Sequence, residues 1–287
     1  SGVNRISLGL QSADNAELRV LGRIHTFEDF LESYDAARKA GFENINVDLM
    51  SGLLGQTLES YEKTLKQVVR LKPEHISAYS LIIEKDTPFY ELYGEDDYLR
   101  AKGEQPKYLP SEEEERRMYE RTKELLAENG LYRYEISNYA KPGKACRHNI
   151  GYWTEVAYLG IGLGASSYME GCRFTNERDL DKYLALDFGS EVPEEREAAL
   201  KKLWGPIEEL TQAQRMEEFM FLGLRMLKGV TRTEFKETFG VEIEAVYGEV
   251  LNQLQEEDLI EKKAGVIKLS DHGMDISNYV LAQFLLD

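Results

Sequence analysis

The chain has 287 residues, 42% apolar and 30% charged, enough for one large globular domain and a smaller one. A net charge of −17 argues against a general nucleic-acid or anionic-membrane binder, because a phosphate surface repels it. Two cysteines, Cys146 and Cys172, argue against a disulfide framework and fit a reducing cytoplasm; neither a signal peptide nor an apolar run of about 18 residues is found.

In chain order, Val3–Leu10 reads as a strand, followed by a loop and a short helix around Ala16–Leu21. Thr26 is placed to cap a helix whose Phe27, Phe30, Leu31, Tyr34 and Ala37 fall at helical spacing, and Gly41 ends it. Asn44–Met50 is a second strand, Leu58–Leu71 a helix stopped before Pro73, and His75–Ile83 a third strand. The charged, proline-containing stretch 84–110 reads as a loop or lid. Ser111 with Glu114 forms a capping box for a helix ending at Asn129–Gly130, and "LYRYEISNYA" follows as a fourth strand. Beyond Pro206 come helices over Thr211–Leu227, Arg232–Phe239 and Glu244–Glu256, a hairpin turning at Ala264–Gly265, and a last helix.

Strands separated by single helices imply parallel pairing, and they read as apolar on both faces, as in a buried parallel sheet. About four strands are too few to close a barrel of eight. The chain also opens without Met, directly into a core strand, so an N-terminal part is expected to be missing. The expected fold class is therefore α/β: a partial β/α barrel over 1–205, then a small, mainly helical, winged-helix-like domain over 206–287. That second domain carries 8 Lys/Arg against 16 Asp/Glu, the wrong balance for a DNA-binding module. The first strand, left as an edge, is expected to attract a partner and form a homodimer.

Two groups of residues invite chemistry. Gln11 and Asp48 stand where the first two strands run out, the end at which parallel α/β proteins bind ligands, and Arg23 sits where it can return to the same rim. Asp suits a pair of ribose hydroxyls, a Gln amide both donates and accepts, and Arg pairs with a carboxylate. Helix capping and surface ion pairing are the competing uses. The second group is "KACRHNIGYWTEVAYLG", which packs Cys146, His148, Asn149, Tyr152 and Trp153 into eight positions. Tyr and Trp offer flat apolar faces. Packed core residues are the competing reading, and Cys146, a candidate thiolate ligand, also suits a small buried hydrophobe. "LGIGLGASSY" looks superficially like a dinucleotide loop but lacks its spacing; its glycines suit close backbone approach.

"GVNRISLGLQS", "LGRIHT", "NINVDLMSGLLGQT", "ISAYSLIIEKDTPF" and "YEISNYAKPGKACRHNIGYW" resemble, in that order, the oxygen-independent coproporphyrinogen III oxidase-like family of radical S-adenosylmethionine (SAM) proteins. The resemblance implies that Gln11, Arg23 and Asp48 help bind SAM and that Ile82 contacts its adenosyl group. The intact His148-Asn149-Ile150-Gly151-Tyr152-Trp153 motif is similar to that of the haem chaperone branch. That branch hands haem to respiratory proteins, whereas coproporphyrinogen dehydrogenases, the alternative, lack the motif. The resemblance makes His148 the candidate ligand for haem iron, with Asn149 fixing its tautomer and Tyr152 and Trp153 beside the macrocycle. The family's [4Fe–4S] cluster needs a three-cysteine C-x-x-x-C-x-x-C loop that this chain lacks; the loop is expected upstream, and this chain alone should perform no radical reaction.

Overall fold

The computed structural model describes residues 2–286. The chain divides into two compact units, one through Cys146 and one from Arg147 on. The 205/206 line drawn from the sequence runs through the second unit, where the Leu210 N–H donates to the Gly171 carbonyl and Arg173 pairs with Glu218 at 2.7 Å.

The first unit runs β1 (Ile6–Gln11), α1 (Asn15–Val20), α2 (Phe27–Lys39), β2 (Ile45–Ser51), α3 (Leu58–Arg70), β3 (His75–Ser80), α4 (Pro88–Ala101), α5 (Glu112–Glu128), β4 (Tyr132–Arg133) and β5 (Asn138–Ala140). Capping boxes start three of its helices: Thr26 with Asp29, Thr57 with Ser60, and Ser111 with Glu114. The five strands form one open sheet in the order β1-β2-β3-β5-β4, with β1 at an edge. β1, β2 and β3 pair in parallel as expected.

Three sequence expectations are corrected in this unit. The "LYRYEISNYA" strand is two short antiparallel pieces, because the buried Glu135 carboxylate accepts from the Ser137 N–H at 3.0 Å and from the Asn138 amide, folding the chain back. The 84–110 stretch holds the helix α4, started by the Thr87 cap and Pro88. It shows little apolar periodicity because only Asp96 is buried, accepting from the Tyr108 and Leu109 N–H groups.

The third correction concerns the sheet faces, which alternate. Ile45, Val47, Leu49 and Ile76 point to one face and are wholly buried with Phe30, Tyr61, Leu65 and Met118 of the covering helices. Each such side chain contributes roughly 1.5–3 kcal/mol of burial. The opposite face is polar. In register across it stand Ser7, Asn46 and His75, then Gly9, Asp48 and Ser77.

The second unit runs α6 (Arg147–Trp153), β6 (Ser166–Met169), β7 (Cys172–Thr175), α7 (Leu180–Leu184), α8 (Pro193–Leu203), β8 (Glu208–Glu209), α9 (Gln212–Gly223), β9 (Val230–Thr231), α10 (Arg232–Phe239), α11 (Ile243–Glu256), β10 (Ile260–Lys263), β11 (Val266–Leu269), α12 (Asp271–Asp275) and α13 (Ser277–Ala282). Three helices and a hairpin appear in the expected order, and β9 adds a third strand beside β11. Ala264 and Gly265 both take positive φ at the hairpin turn. Phe219, Phe235, Phe239, Tyr247 and Phe284 form the aromatic core, with successive ring centroids between 4.8 and 6.1 Å apart. Ahead of this lies the antiparallel sheet β6-β7-β8. The chain returns along it so closely at Gly160 that an added Cβ would stand 2.3 Å from the Ser166 carbonyl oxygen. Among the described residues, no helix is long and apolar enough to cross a membrane.

Candidate functional site

The polar face of the five-stranded sheet is held by a directional hydrogen-bond chain. Asn46, 2% exposed in the middle of β2, donates through its amide nitrogen to Asp48 Oδ1 at 2.7 Å and to Ser7 Oγ at 2.6 Å. Ser7 donates in turn to Asp48 Oδ2 at 3.2 Å, so both carboxylate oxygens are fixed. The Asn46 carbonyl oxygen must then accept, and it does, from His75 Nδ1 at 2.6 Å and Ser77 Oγ at 3.2 Å. With Nδ1 as donor, His75 Nε2 accepts from the Tyr134 hydroxyl at 2.8 Å, and Tyr134 accepts from the Cys146 N–H at 3.2 Å. Every donor along this line points toward Asp48. Burial, with Arg5 adding to it, pushes His75 down to about 3, which keeps the ring neutral and in the one tautomer the chain requires.

Gln11 ends β1 at a register shift and takes φ 71°, an unusual conformation for a residue other than glycine. Its amide lies against Gly9, where a Cβ would meet Nε2 at 3.0 Å; Gly9 is the register partner of Asp48. The structure thus brings Gln11 and Asp48 to one rim. Ile82 is 74% exposed between the buried Leu81 and Ile83, just past β3, so its side chain is presented outward. Leu81 and Ile83 pack with Leu53 and Leu21; Arg23 follows two residues after Leu21, exposed, its backbone N–H bonded to Leu18. Asp48 and Gln11 thus give this rim a fixed carboxylate beside an amide. Asn46, His75 and Tyr134 escaped the sequence reading, although polar residues alternating with Ile45, Val47, Leu49 and Ile76 carried the signal.

In the second unit the H-N-x-x-Y-W segment forms the helix α6. His148 is exposed, and its ring stands edge-on to Tyr152 with centroids 4.7 Å apart; Tyr152 meets Tyr158 at 4.8 Å. No hydrogen bond holds the imidazole among the described residues, so its nitrogens are open to a ligand. Among the described residues, Asn149 makes no bond to the His148 ring, because adjacent helical residues do not face each other. Trp153 does not share the face of His148: five positions on, it lies about 140° around the helix. There it stacks on Arg225, whose guanidinium carbon is 4.3 Å from the ring centroid. Cys146 is buried at the end of the first unit and is not presented as a ligand.

Comparisons with known proteins agree with one another. The family described as the Radical SAM superfamily matches residues 1–68, and the HemN C-terminal domain matches residues 210–276. The heme chaperone HemW of Bacillus subtilis is 36% identical over 99% of this chain and 70% of its own length. HemW of Lactococcus lactis is 38% identical over 100% of this chain and 70% of its own. The solved coproporphyrinogen III oxidase (HemN) of Escherichia coli, a radical SAM enzyme, superposes with a TM-score of 0.74 at 19% identity. That superposition covers 99% of this chain and 64% of the enzyme, a likeness of fold.

Proposed function

Since the chain belongs to the HemW family of haem chaperones among the radical SAM proteins, we propose that it binds haem through His148 and serves, within the whole protein, to pass haem to a respiratory acceptor. The observation that carries this reading is the exposed, unbonded imidazole of His148 set edge-on to Tyr152. A neutral imidazole supplies an axial ligand for the iron, and the Tyr152 ring supplies an apolar surface beside the porphyrin. Placement on one short surface helix favours transfer, because a carrier that buried its cargo completely would have to open before releasing it.

The polar rim of the first unit is proposed as the SAM site. Asp48, with both oxygens fixed yet each retaining a lone pair, suits the ribose hydroxyls. Gln11 supplies an adjacent amide, Arg23 a cation for the carboxylate, and Ile82 an apolar contact for the adenosyl group. SAM would supply an adenosyl group for radical chemistry. The [4Fe–4S] cluster does not fit this chain's own residues. The chain has two cysteines, and among the described residues no group of three His, Cys, Asp or Glu gathers to hold a metal. No step is assigned through it.

Titration with haem, followed by the Soret band, tests the reading. Saturable binding is expected, with His148→Ala weakening it at least about tenfold, equivalent to about 1.4 kcal/mol. Equal affinity in the variant would remove His148 as the site.

A further inference from the structure

The face of α6 turned away from His148 borders a cavity of about 320 Å³. Trp153, Glu155, Tyr168, Arg215, Phe219 and Lys228 are among its lining residues. We propose that this cavity is a second ligand site, which takes an organic carboxylate carried on an apolar arm. Haem ligation at His148 is not needed for it, so the two proposals stand or fall separately.

The main support is two buried donors without partners. Trp153 Nε1 and Arg215 Nε are both shut off from solvent, and neither finds an acceptor among the described residues. A buried N–H left unsatisfied costs about 1–3 kcal/mol, and folded proteins tolerate few of them. Both belong to residues that line the cavity, and the described residues provide neither with an acceptor oxygen. A carboxylate offers two, and a guanidinium fork is shaped to receive them.

The charges around the cavity agree. Glu155 holds a positive φ after α6, and its carboxyl is pushed up to about 7. Burial is the main cause, Glu218 adds to it, and Arg215 and Arg173 oppose it. Near neutrality it is therefore partly protonated and can donate rather than repel. Glu234, the other acid on the wall, has its carboxylate engaged by the Thr231 N–H and hydroxyl at the start of α10. Lys228 adds a second cation, exposed to solvent. Phe219 and the Trp153 and Tyr168 rings line the remainder and suit an apolar arm.

Trp153 and Trp204 are the two tryptophans of the chain, so the indole N–H resonances of the ¹⁵N-labelled protein give a direct readout. On titration with 3-phenylpropionate, the Trp153 resonance should move saturably while that of Trp204 stays in place. Arg215→Gln, checked for folding by circular dichroism, should weaken the response at least about tenfold, and exposed Lys228→Gln about threefold. The uncharged 3-phenylpropionamide should bind at least tenfold more weakly than the acid. Iron-free protoporphyrin IX and its dimethyl ester separate the sources. A shift with the free acid and not the ester makes a porphyrin carboxylate a ligand of the cavity; a shift with phenylpropionate alone makes the ligand a small acid. If neither acid moves Trp153, or if Arg215→Gln responds like the wild type, the cavity is not a carboxylate site.

Discussion

The polar sheet face and the helix α6 show two ways of preparing a binding surface. On the sheet, the side chains behind Asp48 are committed: Asn46 and His75 spend their donors and acceptors inside the protein, so the carboxylate is held before any ligand arrives. On α6, His148 is held by ring contact with Tyr152 and, among the described residues, by no hydrogen bond, leaving both nitrogens for a ligand. The first surface suits a cofactor bound in one pose. The second suits a cargo that must arrive and leave. Preorganisation reduces the cost of ordering on binding, and an open ligand site reduces the cost of release.

The largest effect should come from cutting the committed network. His75→Ala leaves the Tyr134 hydroxyl proton without an acceptor, takes one of two donors from the Asn46 carbonyl and opens a cavity, and should cost about 3 kcal/mol or more in urea denaturation. Both tryptophans lie beyond Cys146, so tryptophan fluorescence follows the second unit and circular dichroism follows both. The His75→Ala loss should therefore appear in circular dichroism with the fluorescence transition nearly unmoved. A common shift in both signals would mean that the units unfold as one body.

Gly160→Ala should give the converse. Its Cβ collides with the Ser166 carbonyl, and about 2 kcal/mol should be lost from the fluorescence-detected transition. An unaltered fluorescence midpoint would show that the strand return can relax.

Acid provides a third test. His75 has its folded value near 3 against an ordinary 6.5, so below pH 6.5 the unfolded chain takes up a proton that the native ring refuses. Stability from this residue is complete above pH 6.5 and declines as pH falls toward 3, by at most about 1.4 kcal/mol per pH unit. In His75→Gln that slope should vanish between about pH 6.5 and 5, before most carboxylates titrate. A slope equal to the wild type would place the titration elsewhere. The smallest stability effect belongs to α6. His148→Ala should change stability by less than about 0.5 kcal/mol, as an exposed residue without hydrogen bonds should; a larger loss would make His148 a structural residue.

Much of this organisation was legible along the chain. Thr26, Thr57 and Ser111 announce their helices because capping is a local bond between residues three apart, and Ala264–Gly265 announces the hairpin through its backbone preference. The H-N-x-x-Y-W and "NVDL" segments pointed to the family that the comparisons support. Helical spacing separates Trp153 from His148 once α6 is known to be a helix, but which neighbours each face meets depends on where Arg225 and Tyr158 arrive from later in the chain. Local spacing could not show that Asn46 and His75, 29 positions apart, would meet, since strand register is a long-range property. Chain order determined where helices start, where the hairpin turns and which residues were candidates. Only the tertiary structure decided which sheet face is polar, which way the hydrogen bonds run and which nitrogens remain free, because a buried polar group is defined by the partners that folding brings to it.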